Sequence, residues 1–257
     1  MNLLCWTCPE PTGKRSELAS YIRGPESRAP LACYLSEVDK QKFEFFQRKK
    51  ERMKIIGKTV CLVLSLLLLA SCNNRDPQAL THLRPNDELL AFGDSLTIGV
   101  GADAQLSYPA QLSRLLGRDV INAGVSGELS AAGARRLPGL LDKYEPELLI
   151  LLHGGNDILQ RRSRDELRAN LRRMYEAAHQ RQIEVVMIAV PQLNLGFSDV
   201  KLYQQLATEL QIPLLSDKLG ELLADPQYRS DSVHLNAQGY RQLAEAVADL
   251  LWEHGAL

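Results

Sequence analysis

A serine, a histidine and an aspartate in this chain have the types and local spacing that nucleophilic acyl transfer requires. Ser95 lies in Gly-Asp-Ser-Leu at 93–96, and His234 follows Asp231 by three residues in Asp-Ser-Val-His at 231–234. A serine hydroxyl is a weak nucleophile until a base takes its proton, and histidine is the commonest such base. One turn can bring a carboxylate three residues back to the imidazole Nδ1, where it fixes the tautomer and stabilises the protonated ring. Ser95, Asp231 and His234 are therefore candidate catalytic residues.

Ser95 and two glycine-rich segments supply hydrogen-bond donors for the negative charge of a tetrahedral intermediate. The backbone N–H of Ser95 is one donor, and Gly127, at the end of Asn-Ala-Gly-Val-Ser-Gly at 122–127, is a second because a residue without Cβ lets substrate approach the backbone. Asn156, in Gly-Gly-Asn-Asp at 154–157, offers its side-chain NH₂. Each glycine alone would also suit a simple turn after a strand. Together with the serine and the histidine, the three donors favour an oxyanion hole made by Ser95, Gly127 and Asn156.

Four other histidines compete with His234 for the role of base. His82 lies in a polar stretch, His179 in a charged helical pattern and His254 at the C-terminus, so we expect all three to be solvated. His153 ends a predicted strand beside the candidate site and is the one alternative base. Asp94, next to the nucleophile, is expected to hold a turn through side-chain hydrogen bonds to the backbone.

Short apolar runs alternate with helical patterns in the second part of the chain. The runs predict five strands, at Glu88–Gly93, Asp119–Ala123, Glu147–His153, Glu184–Val190 and Ile212–Leu215. The helical patterns lie at Pro109–Leu116, Ala131–Tyr144, Arg164–Gln180, Val200–Gln211 and Ala237–His254. Continuous apolar runs suit strands buried on both faces, and the alternation predicts a parallel sheet covered by helices on both sides. The candidate residues then fall at the carboxyl ends of strands, where such sheets bind ligands.

Charge divides the chain into two parts. Residues 1–72 hold 12 Lys and Arg against 7 Asp and Glu, whereas residues 73–257 hold 18 against 24. The second part is acidic, and since nucleic-acid binding needs a clustered basic surface, we expect no nucleic-acid partner. We expect residues 72–85 to form a polar tether and residues 86–257 to form one domain, which is long enough for a sizeable core.

Residues 53–71, followed by Cys72, have the features of a bacterial lipoprotein signal peptide. A short cationic start is followed by an uncharged run at 59–71, which is shorter than the ~20 residues of a spanning helix and suits a signal peptide. The run ends in Leu-Ala-Ser-Cys, which resembles a lipobox, where cleavage precedes a cysteine that becomes diacylated. The alternative is a buried apolar helix with a chance cysteine. We expect a lipid on Cys72 to anchor the protein to a membrane of the cell envelope, facing the periplasm or the outside.

Residues 1–52 would then precede the natural start at Met53, and we expect them to be disordered or not translated. A zinc or redox fragment built from Cys5, Cys8 and Cys33 is the alternative, but it lacks a fourth ligand. All five cysteines lie at or before residue 72, so the acidic part of the chain must be stabilised without disulfides.

The four segments together resemble the SGNH (GDSL) hydrolase family over residues 88 to about 252. The resemblance implies that Ser95 is the nucleophile, that Asp231 and His234 complete the triad, and that Gly127 and Asn156 join the Ser95 N–H in the oxyanion hole. It also implies the fold, a three-layer α/β/α sandwich with a flavodoxin-like parallel sheet of five strands.

Within the family the chain is most similar to the bacterial thioesterase I, arylesterase and lysophospholipase branch. The similarity rests on Asn-Ala-x-x-Ser-Gly at 122–127, Arg-Leu-Pro-x-Leu-Leu at 136–141 and Gly-Gly-Asn-Asp at 154–157. The lipobox and Gly124, where that branch often has serine, are departures. The loop at 192–200 is expected to line the substrate pocket. Because the sequence does not define the shape of this loop, it does not define the acyl preference.

The implied reaction is hydrolysis of carboxylic esters, with thioesters and lysophospholipids as related substrates, through an acyl-enzyme. The resemblance implies no cofactor and no metal, a small ester or lipid as the substrate, and a monomer. A carbohydrate O-acetylesterase of the cell envelope is an alternative within the same family. A lipoprotein with a degenerate site that only binds lipid or a partner is an alternative of another class, but the intact set of five catalytic positions argues against it.

Overall fold

The computed structural model describes residues 40–58, 78–192 and 201–257. The chain divides into two units, Met1–Asn73 and Asn74–Leu257. The predicted apolar run at 59–71, the predicted lipidation residue Cys72 and the cysteines of the alternative zinc fragment lie outside the described residues, as does most of the loop at 192–200. Among the helices that are described, none is long and apolar enough to cross a membrane.

The described part of the first unit is a helix over residues 40–58, exposed along its whole length. Its ion pairs have helical spacing: Arg48 Nη2 lies 3.3 Å from Glu44 Oε2, and Lys54 Nζ lies 2.7 Å from Glu51 Oε1. Charged pairs three and four residues apart support a helix that buries no apolar face. That residues 1–52 are disordered or not translated stays a prediction.

The second unit is built on a parallel sheet of five strands. In chain order these are β1 (Leu89–Gly93), β2 (Val120–Gly124), β3 (Leu148–Leu152), β4 (Glu184–Ile188) and β5 (Leu214–Leu215). Their order across the sheet is β2-β1-β3-β4-β5, and all pairings are parallel. This confirms the predicted fold class, and all five predicted strands are present.

Helices cover both faces of the sheet. They are α1 (Ser95–Ile98), α2 (Tyr108–Leu116), α3 (Ser130–Tyr144), α4 (Gly155–Leu159), α5 (Arg164–His179), α6 (Lys201–Leu210), α7 (Lys218–Ala224) and α8 (Ala237–Glu253), with a 3₁₀ turn at Ala104–Leu106. Helix α2 packs with α8, while α3 packs with α5 and α5 with α6. These pairs form the two outer layers. The sequence patterns predicted the five long helices and missed the short helices α1, α4 and α7.

Burial on both faces explains why the strands are continuous apolar runs, in which apolar and polar residues do not alternate. Every residue of β1 and β3 is buried, and β4 is buried after its first residue. A strand between two helical layers has no solvent-facing side, so each position favours an apolar side chain. The aromatic side chains of Phe92, Tyr108 and Tyr240 are also fully buried.

The predicted tether is shorter than residues 72–85, because its second half is part of the fold. The N–H groups of Leu80 and Leu83 donate to the carbonyls of His254 and Ala256, both at 2.8 Å. The Thr81 N–H and hydroxyl donate to the Glu184 carboxylate at 2.9 to 3.0 Å. Leu83 is 4% exposed, so the segment is held by apolar burial as well as by hydrogen bonds.

Candidate active site

The candidate residues lie at the carboxyl ends of three adjacent strands and on one late loop. Ser95 follows β1, Gly127 follows β2 and Asn156 follows β3, while His234 lies shortly before α8. In the order β2-β1-β3, the chain runs from β1 to β2 on one side of β1 and then crosses to β3 on its other side. Ligands bind at such a switch point in open parallel sheets. The fold therefore collects residues that are up to 139 positions apart in sequence.

Ser95 is the first residue of α1, directly after the turn that follows β1. The side chain of Asp94 caps this helix, since its Oδ1 accepts from the Leu96 N–H at 3.1 Å. Asp94 therefore holds the turn as predicted. Burial raises the pKa of Asp94, although the charges of His153 and His234 and the N–H groups of Leu96 and Gly155 act in the opposite direction.

The structure brings Ser95, His234 and Asp231 into one chain of hydrogen bonds. His234 Nε2 lies 2.9 Å from Ser95 Oγ, and His234 Nδ1 lies 2.8 Å from Asp231 Oδ2. Both distances suit hydrogen bonds, and the order of groups is that of a nucleophile, a base and the carboxylate that orients the base. The arrangement can move a proton from Ser95 to His234 as the hydroxyl attacks a carbonyl.

The local fold of the 231–234 loop fixes the carboxylate. Asp231 Oδ1 accepts the N–H groups of Val233 and His234, each at 2.8 Å. Burial opposes ionisation of Asp231, but the hydrogen bonds from His234 and Val233 outweigh it and hold the pKa of this carboxyl below its usual value. Asn236, the next polar residue, caps α8 by accepting the Gly239 N–H at 2.9 Å.

Two residues that line the cleft at the nucleophile, Ser95 and Gly127, have open backbone N–H groups. The N–H groups of Ser95 and Gly127 donate no hydrogen bond to any residue in the described ranges. Gly127 has φ of +75°, and a Cβ there would meet nothing within 4 Å, so the residue is exposed in a conformation that favours glycine. Both N–H groups are available to an oxyanion.

The third predicted donor, Asn156, is engaged within the protein. Its Nδ2 lies 3.1 Å from the Glu128 carbonyl oxygen and 3.4 Å from Asp94 Oδ2. The longer contact is weak by the usual geometric standard. Glu128 therefore holds the amide in place through one N–H, and the N–H in the weak contact with Asp94 is the one left to donate to an oxyanion.

His153, the alternative base, is placed where it does not reach the nucleophile. Its side chain is fully buried and its Nε2 lies 3.2 Å from Glu128 Oε2, while its ring packs against Phe92. The hydrogen bond to Ser95 is made by His234. The geometry therefore favours His234 as the base.

A cleft of about 160 Å³ adjoins the nucleophile. It is lined by the candidate catalytic residues and by apolar side chains from α4, α7 and the end of β4, which include Ile158, Leu159, Val190, Pro191 and Leu223. An apolar pocket next to polar catalytic groups suits the acyl part of an ester. Within the described ranges, no group of three or more His, Cys, Asp or Glu side chains has a geometry suited to a metal ion.

Sequence reasoning missed several residues that support this site. The Asp157 carboxylate accepts the Ser130 N–H at 2.8 Å and the Ser130 hydroxyl at 2.6 Å, and Asn170 donates to that hydroxyl at 2.9 Å. This buried network ties α4, which carries Asn156, to α3 and α5. Only the Asp of Gly-Gly-Asn-Asp hinted at it. Glu128 was also missed, although it directly follows Gly127.

Comparisons with known proteins agree with this architecture. The model of a family described as GDSL-like Lipase/Acylhydrolase matches residues 91–242. An arylesterase of Vibrio mimicus is 31% identical over 180 residues, which cover 66% of this chain and 90% of the relative. A protein of Escherichia coli named thioesterase 1/protease 1/lysophospholipase L1 is 31% identical over 175 residues, covering 64% and 83%.

Solved structures show the same relationship. The crystal structure of TesA superposes with a TM-score of 0.60 at 27% identity, covering 65% of this chain and 99% of that protein. The esterase AlinE4, described as a member of the SGNH-hydrolase family, gives a TM-score of 0.52 at 33% identity, covering 66% and 97%. This chain therefore belongs to the GDSL-like lipase/acylhydrolase family and is a hydrolase of the SGNH type.

Proposed function

We propose that the protein is a serine esterase that hydrolyses carboxylic esters, thioesters or lysophospholipids through a Ser95–His234–Asp231 triad. Its single strongest support is the unbroken chain of hydrogen bonds from Ser95 Oγ through His234 to Asp231, at 2.9 and 2.8 Å. The three substrate classes are those in the names of the relatives from Vibrio mimicus and Escherichia coli.

The reaction proceeds in two halves. His234 takes the proton of Ser95 as the oxygen attacks the carbonyl carbon, and it then gives that proton to the leaving alcohol or thiol. Water repeats the sequence on the acyl-enzyme and releases the acid. In each half, the N–H groups of Ser95 and Gly127 and the amide of Asn156 stabilise the oxyanion. The ionised Asp231 supports the protonated imidazole, which fits the lowered pKa of its carboxyl.

A panel of p-nitrophenyl esters of increasing acyl length tests the proposal, with Ser95→Ala as the matched control. Hydrolysis by the wild type and none by Ser95→Ala supports it. Hydrolysis of p-nitrophenyl acetate alone would favour the carbohydrate O-acetylesterase instead. Absence of activity on every ester would favour the non-catalytic alternative. Acyl-CoA and lysophospholipid substrates then separate thioesterase from lysophospholipase activity.

For location, we propose that the lipid-modified Cys72 anchors the protein to the cell envelope, with the hydrolase unit outside the cytoplasm. The support is in the sequence: a cationic start at Met53–Lys58, an uncharged run at 59–71 and a cysteine after Leu-Ala-Ser.

A further inference from the structure

The side chain of Glu128 is buried at the centre of a charged cluster that takes no direct part in the triad. Its Oε1 accepts Arg136 Nε at 2.8 Å, and its Oε2 accepts Arg136 Nη2 at 2.6 Å and lies 3.2 Å from His153 Nε2. The Glu128 side chain is 7% exposed and the His153 side chain 0%. Burial alone would raise the pKa of Glu128, but the hydrogen bonds from His153 and Arg136 lower it to about 2. We refer to Glu128, Arg136 and His153 as the carboxylate clamp.

The backbone of Glu128 is bonded to the residues of the oxyanion hole, whereas its side chain is hydrogen-bonded to Arg136 and His153. Its carbonyl oxygen accepts the Asn156 amide at 3.1 Å. Its N–H donates to the Val125 carbonyl at 3.2 Å and closes a four-residue turn that has Gly127, with positive φ, at the third position. The peptide that carries the Gly127 N–H lies inside this turn. One residue therefore contacts Asn156 directly and closes the turn that presents Gly127.

The clamp is itself fixed to the three strands that carry the site. Arg136, on α3, donates to the Ala123 carbonyl in β2 at 3.1 Å, and its guanidinium lies 4.3 Å from the centre of the Phe92 ring in β1. His153 directly follows β3. A Cβ at Gly133 would lie 2.5 Å from His153 Nε2, so α3 packs closely against this ring. A displacement of Glu128 is thus resisted from several sides.

A buried ion pair adds little net free energy of folding, since desolvation of the two charges offsets much of their attraction. Its advantage is a fixed geometry, because a guanidinium that binds a carboxylate through two parallel hydrogen bonds leaves it little freedom. Oxyanion donors need such fixation, since they accelerate the reaction only when they are already aimed at the developing charge.

We propose that Glu128, held by Arg136 and His153, is a positioning residue that sets the Gly127 and Asn156 donors of the oxyanion hole. This proposal rests on the proposed esterase function. The clamp acts on the transition state through the two donors, so its loss lowers kcat and leaves KM for a short ester nearly unchanged.

The test compares Glu128→Gln and Arg136→Met with Arg181→Met in the full chain, on p-nitrophenyl butyrate. Arg181 is the matched control because it also pairs with a carboxylate of α3, with its Nε 2.7 Å from Asp142 Oδ1, but is remote from the donors in the hydrogen-bond network. Removal of a whole oxyanion donor costs ~10²–10³ in kcat, so the clamp variants should lose roughly tenfold or more in kcat with KM within about twofold. Arg181→Met should keep wild-type kinetics. A wild-type kcat in folded Glu128→Gln or Arg136→Met overturns the proposal.

A double-mutant cycle separates positioning from general loosening of the fold. If Arg136 acts partly through Asn156, Arg136→Met must cost less in an Asn156→Ala background than in the wild type. Equal fold-losses in both backgrounds overturn the proposal. If Arg136→Met does not fold, the same cycle with Glu128→Gln, which keeps the shape of the side chain, decides it. Activity that survives Ser95→Ala would count against the esterase mechanism, whereas normal kcat in the clamp variants beside an inactive Ser95→Ala would count against the clamp alone.

Discussion

At the scale of single residues, the site combines groups that a sequence pattern can reveal with groups that it cannot. Ser95, Asp231 and His234 occur in short segments whose spacing suggests their chemistry, and the structure brings all three together. Glu128 and Arg136 are eight residues apart, and nothing in that spacing predicts a bidentate pair beneath the oxyanion donors. Such a pair depends on where α3 crosses the end of β2, which only the packed fold defines.

Loss of the nucleophile or of the base should abolish turnover. Ser95→Ala and His234→Ala each remove one end of the 2.9 Å contact, and removal of a triad serine or histidine typically costs ~10⁶-fold in kcat. His179, exposed on α5 and stacked on Tyr175, gives the matched control, and His179→Ala should leave kcat unchanged. Substantial activity in pure, folded Ser95→Ala would disprove the assignment of the nucleophile.

Asn156→Ala should reduce kcat by ~10²–10³ with little change in KM, because its amide acts mainly on charge that develops in the transition state. Steady-state kinetics on one short-chain ester would measure both constants. A change confined to KM would make Asn156 a substrate-binding residue instead.

Glu128 should make stability depend on pH in an acidic window. Its pKa of about 2 lies below the usual value of 4.5, so its contribution to stability is present above pH 4.5 and is lost as the pH falls toward 2. At ~1.4 kcal/mol per pKa unit, reduced for solvent screening, the loss is about 1–2 kcal/mol. Urea unfolding at pH 7 and pH 3 should therefore show a larger loss in wild type than in Glu128→Gln. Equal losses in the two proteins would contradict the ionised clamp.

At the scale of elements, apolar runs and periodicity predicted the four five-residue strands and the long helices of the second unit because each has enough residues to show its pattern. The short helices α1 and α4, of 4 and 5 residues, have no room for a helical repeat. Both are set by their position after a buried strand, where a cap or a glycine turns the chain. Both short helices belong to the candidate active site, since α1 carries Ser95 and α4 carries Asn156.

Close packing between β1 and its neighbours should make Gly93 intolerant of a side chain. A Cβ at this position would lie 2.0 Å from the Leu152 carbonyl oxygen and 2.2 Å from Thr97 Oγ1. Gly93→Ala should therefore cost about 1–3 kcal/mol of stability and lower kcat, because the forced shift moves the turn that carries Ser95. Thermal melts and kcat measurements check both effects.

Gly139→Ala is the matched control for this change. Gly139 lies inside α3, and a Cβ there would meet nothing within 4 Å, so alanine should stabilise the protein by about 0.5–1 kcal/mol through its higher helix propensity. Its kcat should stay at the wild-type value. A Gly93→Ala variant as stable and active as the wild type would show that the end of β1 can move away from Leu152 at little cost.

At the scale of the whole hydrolase unit, the segment at 80–84, through which the chain enters the fold, and the active site lie at opposite edges of the sheet. Thr81 binds Glu184 at the start of β4, and Arg84 Nη2 lies 3.3 Å from Glu147 Oε1 just before β3. Ser95, Gly127 and Asn156 lie beyond the carboxyl ends of the strands. The polar composition before residue 85 suggested a longer free tether. The burial of Leu83 and the partial burial of Leu80 depend on the C-terminal residues of the chain, which a local pattern does not include.

This geometry yields a prediction about a membrane-anchored form. Cys72 and Gln78 are six residues apart, so the chain between them can reach at most about 20 Å, and a lipid on Cys72 would keep the hydrolase unit close to the membrane. The site would then face away from the segment at 80–84 and from the membrane. Wild type should be cut before Cys72, labelled by fatty acid and recovered with membranes, where more than one acyl chain gives stable anchoring. Cys72→Ser should be unlabelled, and its kcat on a short, water-soluble ester should match that of the anchored enzyme because a site that faces away from the membrane would stay open to water. Unlipidated wild-type protein free in the periplasm would overturn the anchoring, whereas a large difference in kcat between the two forms would overturn the orientation.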